Sequence, residues 1–328
     1  MNRPAMLVVG HGTKSPAGVA QFVALVDRVR DAVPMVDVEG GFLELAPPPI
    51  QDAVARLAAR GPRTVDVVPL VLVGAGHSKG DIPAALGRER LRHPGMDFRY
   101  GRPLGPHPLL LAELTERLEC VVASERWGDT AVILVGRGAS DPDANAEVAK
   151  TARLLFEGRG IGTVETGFIS LARPSVPEAL QRAVRLGFSR LVVLPYFLFA
   201  GVLPDRIVRQ AAAFASEHPE VEVLCADLIG PGERLAALVV ERWSEITVGD
   251  LRMNCDTCAY RVTMPGFEAK VGAPQTPHDH PDDPAHPHGS HSHDPAHAHD
   301  SAHAAHAAHA VDSAHAAHAH DGGLHAHG

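Results

Sequence analysis

Short runs of aliphatic and β-branched residues alternate along this chain with longer stretches whose apolar positions recur every three or four residues. Leu7-Val8-Val9, Val36 to Leu43, Thr64 to Val73 and a short segment near Phe98 are of the first kind and read as strands. Between them, Val19, Phe22, Val23, Val26 and Val33 keep helical spacing, as do Ile50, Val54 and Leu57, then Ile82 to Arg92, then Leu109, Leu114, Leu118 and Val122. Ser15-Pro16 supplies a helix cap with proline in the first turn, while Pro47-Pro48-Pro49 and Gly61-Pro62 act as breakers. Regular alternation of strand and helix predicts a parallel sheet covered by helices, an α/β fold.

The same pattern then repeats. Thr130 to Gly138 matches the opening stretch at an offset of 126 residues, Gly41-Phe42-Leu43-Glu44-Leu45-Ala46 falls on Gly167-Phe168-Ile169-Ser170-Leu171-Ala172, and Pro69-Leu70-Val71-Leu72 falls on Pro195-Tyr196-Phe197-Leu198. After one deletion, Gly105-Pro106 meets Gly230-Pro231. Self-similarity over this length marks a tandem duplication. Two similar α/β domains are expected, at 1–125 and 126–246, followed by a segment 247–275 holding Cys255-Asp256-Thr257-Cys258 and a tail 276–328.

Composition separates that tail from the rest. Residues 278–328 hold 16 of the 21 histidines and seven aspartates with no Lys, Arg or Glu, so most of the net charge of -9 belongs to the tail and the body is nearly neutral. A neutral body gives no footprint for nucleic acid. No run of about 20 apolar residues suits a membrane span, and the amino terminus enters the first strand without a signal-like segment, so a cytoplasmic location is expected. Pro274 to Pro287 is proline-rich, and the Ala/His stretch beyond it lacks an apolar face, so disorder without metal is predicted. Its histidine content suits cobalt, nickel or zinc ions.

Candidate chemistry gathers at the strand ends. His11 stands between two glycines after the first strand, and His77 follows Val71-Leu72-Val73-Gly74-Ala75-Gly76 in a similar setting. In open α/β sheets ligands bind at the carboxyl ends of the strands. An imidazole there titrates near neutral pH or ligates a metal. Glu44 ends the second strand. The duplicate carries Arg137, Ser170 and Leu203 where the first half has His11, Glu44 and His77. One half therefore keeps two imidazoles and a carboxylate, a set suited to a divalent metal or to base catalysis, and the other half is expected to wall a cleft. Lys14, Lys79, Arg137 and Arg173 are cations near strand ends and candidates for substrate carboxylates, and Asp81 reads as the cap of the helix after His77. Cys255 and Cys258 have the spacing of a metal or iron–sulfur ligand pair, with a redox dithiol as the alternative.

Val9-Gly10-His11-Gly12, Gly41-Phe42-Leu43-Glu44, and Pro69-Leu70-Val71-Leu72 leading to Gly76-His77-Ser78-Lys79-Gly80-Asp81-Ile82-Pro83 together resemble the CbiX/SirB-type sirohydrochlorin chelatases in their long two-domain form. The resemblance covers both halves and extends to Met253-x-Cys255-x-x-Cys258 and the His-rich tail. It implies two tandem chelatase-like domains with a tetrapyrrole bound between them, and insertion of cobalt, or of iron or nickel, into sirohydrochlorin for cobalamin or siroheme. By the same resemblance His11 and His77 are the metal-binding and catalytic pair, Glu44 assists them, and Cys255 and Cys258 belong to an iron–sulfur centre. A metal-buffering protein without catalysis is the competing reading of the tail.

Overall fold

The computed structural model describes residues 4–249 and 268–272. β1 (Ala5–Gly10), α1 (Pro16–Ala32), β2 (Asp37–Phe42), α2 (Ile50–Ala58), β3 (Thr64–Pro69), α3 (Ile82–Arg92), β4 (Asp97–Tyr100) and α4 (Pro108–Glu119) form the first repeat. The second is built from β5 (Thr130–Gly136), α5 (Pro142–Phe156), β6 (Thr163–Phe168), α6 (Val176–Arg185), β7 (Arg190–Pro195), α7 (Val202–Glu217), β8 (Glu222–Cys225) and α8 (Glu233–Val248). Each repeat holds a four-stranded, wholly parallel sheet, in the order β2-β1-β3-β4 and β6-β5-β7-β8. The strand order reverses beside β1 and β5, which puts a topological switch point at the carboxyl end of each.

The expected elements form close to the expected bounds. Ser15 caps α1, its side chain accepting from the Gly18 amide at 3.3 Å. β3 stops at Pro69 instead of reaching Val73, because β1 ends at Gly10 and offers little beyond the bond from the Leu70 amide to the Val9 carbonyl at 2.7 Å. Asp81 does not act as a cap. A π-helical turn, His77–Asp81, runs straight into α3, so Asp81 lies inside a continuous helical path and makes no side-chain cap bond.

Both faces of both sheets are mainly apolar, as buried parallel strands require. On β1, Ala5, Leu7 and Val9 point to one core with α2 and α3, while Met6 and Val8 point to another. β5 does the same: Ala131, Ile133 and Val135 meet α6 and α7, and Val132 and Leu134 face the opposite way. The second faces of the two sheets belong to one shared core. The last helix of each repeat enters that core against the other repeat: α8 packs on α1 and β3, and α4 packs on α5 and β7. Packing thus crosses the expected boundary between 125 and 126.

Polar contacts fix the exchanged helix α8. Trp243 Nε1 donates to Asp66 Oδ2 at 3.0 Å, and Arg102 forms a two-point ion pair with Glu245. Arg242 is 1% exposed at its side chain; it donates to the carbonyls of Pro103 and Leu104 at 3.1 and 2.6 Å and to Glu245 at 2.7 Å. A buried guanidinium is tolerated because these acceptors replace its water. Across the other edge, α1 approaches the loop after β7 so closely that a Cβ on Gly18 would lie 2.2 Å from the Ala200 carbonyl oxygen. Gln21 Oε1 accepts from the Ala200 amide there at 2.8 Å.

Among the described residues no helix is long and apolar enough to cross a membrane. Of 247–275, only 247–249 and 268–272 are described, the latter including a 3-10 turn Glu268–Lys270. Cys255, Cys258 and the tail 276–328 lie outside the described residues. Arg242→Ala should destabilise the chain by about 3 kcal/mol, because it leaves the carbonyls of Pro103 and Leu104 without this donor and empties the space of a fully buried side chain, while Glu245 keeps its pair with Arg102. Urea denaturation of the purified variant measures this; a loss below about 1 kcal/mol would show that α8 is held by apolar packing alone.

Candidate active site

The site begins with a backbone constraint. Gly12 has φ +107°, and a Cβ there would stand 1.7 Å from the carbonyl oxygen of Glu44. Only glycine permits that approach. Two further bonds extend the β1–β2 pairing beyond the strands: the Leu43 amide donates to the Gly10 carbonyl at 2.9 Å and the Glu44 amide to the His11 carbonyl at 3.0 Å. The exits of β1 and β2 are thereby locked together, and His11 Nε2 lies 3.4 Å from Glu44 Oε1. Both side chains are about a quarter exposed, at 26% and 21%.

His11 opens into a cleft of about 600 Å³ lined by both repeats. Its walls are mainly apolar, with Phe22, Phe42, Leu70 and Leu72 from the first repeat and Phe197, Leu198, Phe199 and Leu203 from the second. Gly76 and Ser78, on either side of His77, line the same cleft. The backbone of His77 starts the π-helical turn at the carboxyl end of the sheet; its side chain lies outside what the structure describes. That turn is held from below. Ser78 is buried and donates through Oγ to the Ala75 carbonyl at 3.0 Å, while Tyr100 Oη donates to the Ser78 carbonyl at 2.8 Å. Burial drives the Tyr100 phenol far above its usual pKa, so it stays a donor at any physiological pH.

The four predicted cations divide. Lys14 and Arg137 line the cleft. Solvent reaches the Arg137 guanidinium, yet protein surrounds it, and that desolvation lowers its pKa while the nearby Glu44 carboxylate acts to raise it. Arg137 thus occupies the place its repeat counterpart His11 holds, and its charge reaches Glu44 from across the cleft. Lys79 is turned to the other repeat, where its Nζ contacts Asp141 Oδ2 at 2.7 Å and Asp143 Oδ2 at 3.1 Å with only 15% of the side chain exposed. Asp141 also caps α5 by accepting from the Asp143 amide. Arg173 is 85% exposed and pairs with Glu178 at 3.2 Å, outside the cleft lining. Two of the four cations are therefore committed to ion pairs, which the sequence did not signal.

Among the described residues no three of His, Cys, Asp and Glu converge as a metal site. Described side chains supply two of the three predicted groups, His11 and Glu44, and the third is His77. The arrangement offers a carboxylate–imidazole pair at a switch point, an apolar slot shared by two repeats, and cations at its wall. Sequence reasoning missed the Lys79 bridge, whose partners lie in another repeat, and the backbone geometry of Leu45 and Leu171, both of which line the cleft with positive φ. Nothing in a leucine announces such a φ.

The CbiX family model matches residues 5–121 and again 131–246, one copy per repeat. The chain is 38% identical to the sirohydrochlorin cobaltochelatase of Priestia megaterium over 263 residues, covering 79% of this chain and 85% of that protein. A sirohydrochlorin ferrochelatase of the same organism is 31% identical over 235 residues, covering 72% and 87%. Among solved structures, SirB from Bacillus subtilis with Fe3+ is similar with a TM-score of 0.67 and 27% identity, covering 77% of this chain and 100% of that one. SirB from Bacillus subtilis subspecies spizizenii in complex with cobalt is similar with a TM-score of 0.65 and 27% identity, over 76% and 97%. A duplicated α/β unit, matched by one family model in each repeat and by relatives over most of their length, makes this chain a member of the CbiX family.

Proposed function

We propose that this chain is a sirohydrochlorin chelatase that inserts a divalent metal, cobalt in our reading, into its tetrapyrrole substrate. The observation that carries the reading is the His11–Glu44 pair at the mouth of an apolar cleft walled by both repeats. Such a cleft suits a flat, largely apolar macrocycle whose reacting nitrogens must meet a metal ion and a base. Cobalt is supported by the cobaltochelatase relative at 38% identity, and iron is the second reading because of the ferrochelatase relative at 31%.

Insertion replaces two pyrrole N–H protons with one divalent ion, so the site must hold the incoming metal and remove two protons. Neutral imidazole does both kinds of work. In this reading His11 and His77 hold the metal as it sheds water and accept the protons as it enters the ring. Glu44, 3.4 Å from His11, stabilises the imidazolium that forms and passes its proton outward. Lys14 and Arg137 meet substrate carboxylates. Lys79 acts by another route: its bridge to Asp141 and Asp143 ties the turn bearing His77 to the second repeat. Holding metal and macrocycle in register lowers the barrier by removing translational freedom before the reaction. The tail 276–328, with most of the chain's histidines, serves in this reading to raise the local metal concentration.

Replacing either His11 or His77 with alanine should lower cobalt insertion by about 100-fold or more while leaving the thermal midpoint within a few degrees. The absorbance change of sirohydrochlorin on metal insertion reports it, and near-normal turnover by both variants would sink the assignment. Side-by-side rates with cobalt, iron and nickel should rank cobalt first; a faster iron reaction would transfer the assignment to the second reading. Deleting 276–328 should leave the rate unchanged at saturating metal and reduce it when metal is scarce. An equal loss under both conditions argues against delivery by the tail.

A further inference from the structure

The residue after Glu44 is held in an unfavourable conformation and gains nothing visible in return. Leu45 has φ +66°, and the Ala46 amide donates to the Glu44 carbonyl at 2.8 Å, closing a three-residue turn around it. At the matching place in the second repeat, Leu171 has φ +59° and the Ala172 amide donates to the Ser170 carbonyl at 2.7 Å. Turns of this positive-φ kind are rare and strained, and glycine or asparagine is the residue that relieves them. Among the described residues that are not glycine, these two leucines are the ones with positive φ. Their side chains are not buried in compensation. Leu45 is 47% exposed and Leu171 72% exposed, and both line the cleft.

A strained leucine with a wet side chain is favoured neither by the backbone nor by the hydrophobic effect of folding. Comparison of the repeats adds a second observation. His11, Glu44 and His77 are all replaced in the second copy, by Arg137, Ser170 and Leu203, whereas the leucine and its turn are kept. What the two walls share at the cleft rim is an apolar tip on an over-determined backbone. Strain of this kind concentrates where a ligand is gripped.

We infer that Leu45 and Leu171 contact the substrate directly, as a pair of apolar tips that press on the conjugated ring from the two repeats. The inference rests on the tetrapyrrole reading of the cleft and adds to it the residues that recognise the ring itself. A tetrapyrrole of the sirohydrochlorin class has an apolar face and carboxylates at its edge. The cations of the cleft serve the edge, and the leucines serve the face. Their exposed surface in the free protein becomes buried only when the ring is present, so the gain appears as affinity and not as stability of the fold. The turns hold the backbone under both tips fixed before binding, which reduces the freedom lost when the ring is gripped.

The test uses the full chain carrying Leu45→Asn, Leu171→Asn or both. Asparagine tolerates positive φ, so the turns should persist and the thermal midpoint should equal or exceed that of the wild type. KM for sirohydrochlorin should rise about tenfold for each single variant and about a hundredfold for the pair, with kcat within about twofold, as loss of uniform binding requires. Metal-free sirohydrochlorin, titrated and followed by its absorbance, should bind more weakly in the same proportion. Cobalt titrated into the chain without tetrapyrrole should bind as in the wild type. A double variant with wild-type KM and wild-type tetrapyrrole affinity overturns this inference alone, as does a change confined to the thermal midpoint. A wild-type chain that binds no tetrapyrrole overturns both this inference and the proposed function.

Discussion

The approach of Gly12 to the Glu44 carbonyl is the constraint from which the rest of the site follows. A parallel strand that ends at a switch point must leave the sheet without colliding with its neighbour, and here the two exits pass at a distance that excludes any Cβ. The approach brings His11 beside Glu44, and the turn that follows forces Leu45 into positive φ. The second repeat keeps the same constraint, with Gly138 at φ +84° against the Ser170 carbonyl, where a Cβ would lie 1.8 Å away. Backbone geometry is therefore common to both copies, and the chemistry hung on it is not. Duplication kept the frame and left one set of polar side chains free to change.

Around that frame the two repeats are not simply juxtaposed. The sheet faces toward the shared core are covered by helices of both copies, and the Arg242 contacts fasten α8 to the first repeat's loop after β4. The cleft is bounded by the same interlocked body: the Gly18–Ala200 approach at one side and the Lys79–Asp141–Asp143 bridge at another. A slot braced in this way presents its lining in a fixed relation, which suits a rigid planar ligand better than a flexible one.

Much of this was legible in the sequence because it depends on local periodicity. α3 forms over Ile82–Arg92 as its spacing predicts, and β5 follows the run from Thr130. The repeat offset puts His11 and Arg137 at equivalent ends of β1 and β5 and Glu44 at the exit of β2, where its carboxylate acts on the Arg137 guanidinium. Features that depend on distant partners were not legible. Lys79 reads as an available cation until its acceptors appear 62 and 64 residues later. Asp81 reads as a cap because a π-helical turn has no sequence signature to warn of it. Leu45 and Leu171 read as ordinary apolar residues, since nothing in their neighbours demands positive φ. The exchange of α4 and α8 is hidden for a different reason: two self-similar repeats suggest two self-contained cores, and either pairing satisfies the same apolar pattern.

That exchange bears on how the molecule is made. The first sheet rests one face on α8, which begins at Glu233, so its β1 and β3 residues Met6, Val8 and Val68 belong to a core that is incomplete until the end of the second repeat has been synthesised. The apolar face of the first sheet is fully covered only once α8 has been made, although the first repeat holds every residue of that sheet and covers part of the face with its own α1. Contacts between residues separated by most of the chain are slow to form, and the apolar face awaiting them stays exposed meanwhile. Two repeats in the sequence thus share one core, which the last helix of the second completes.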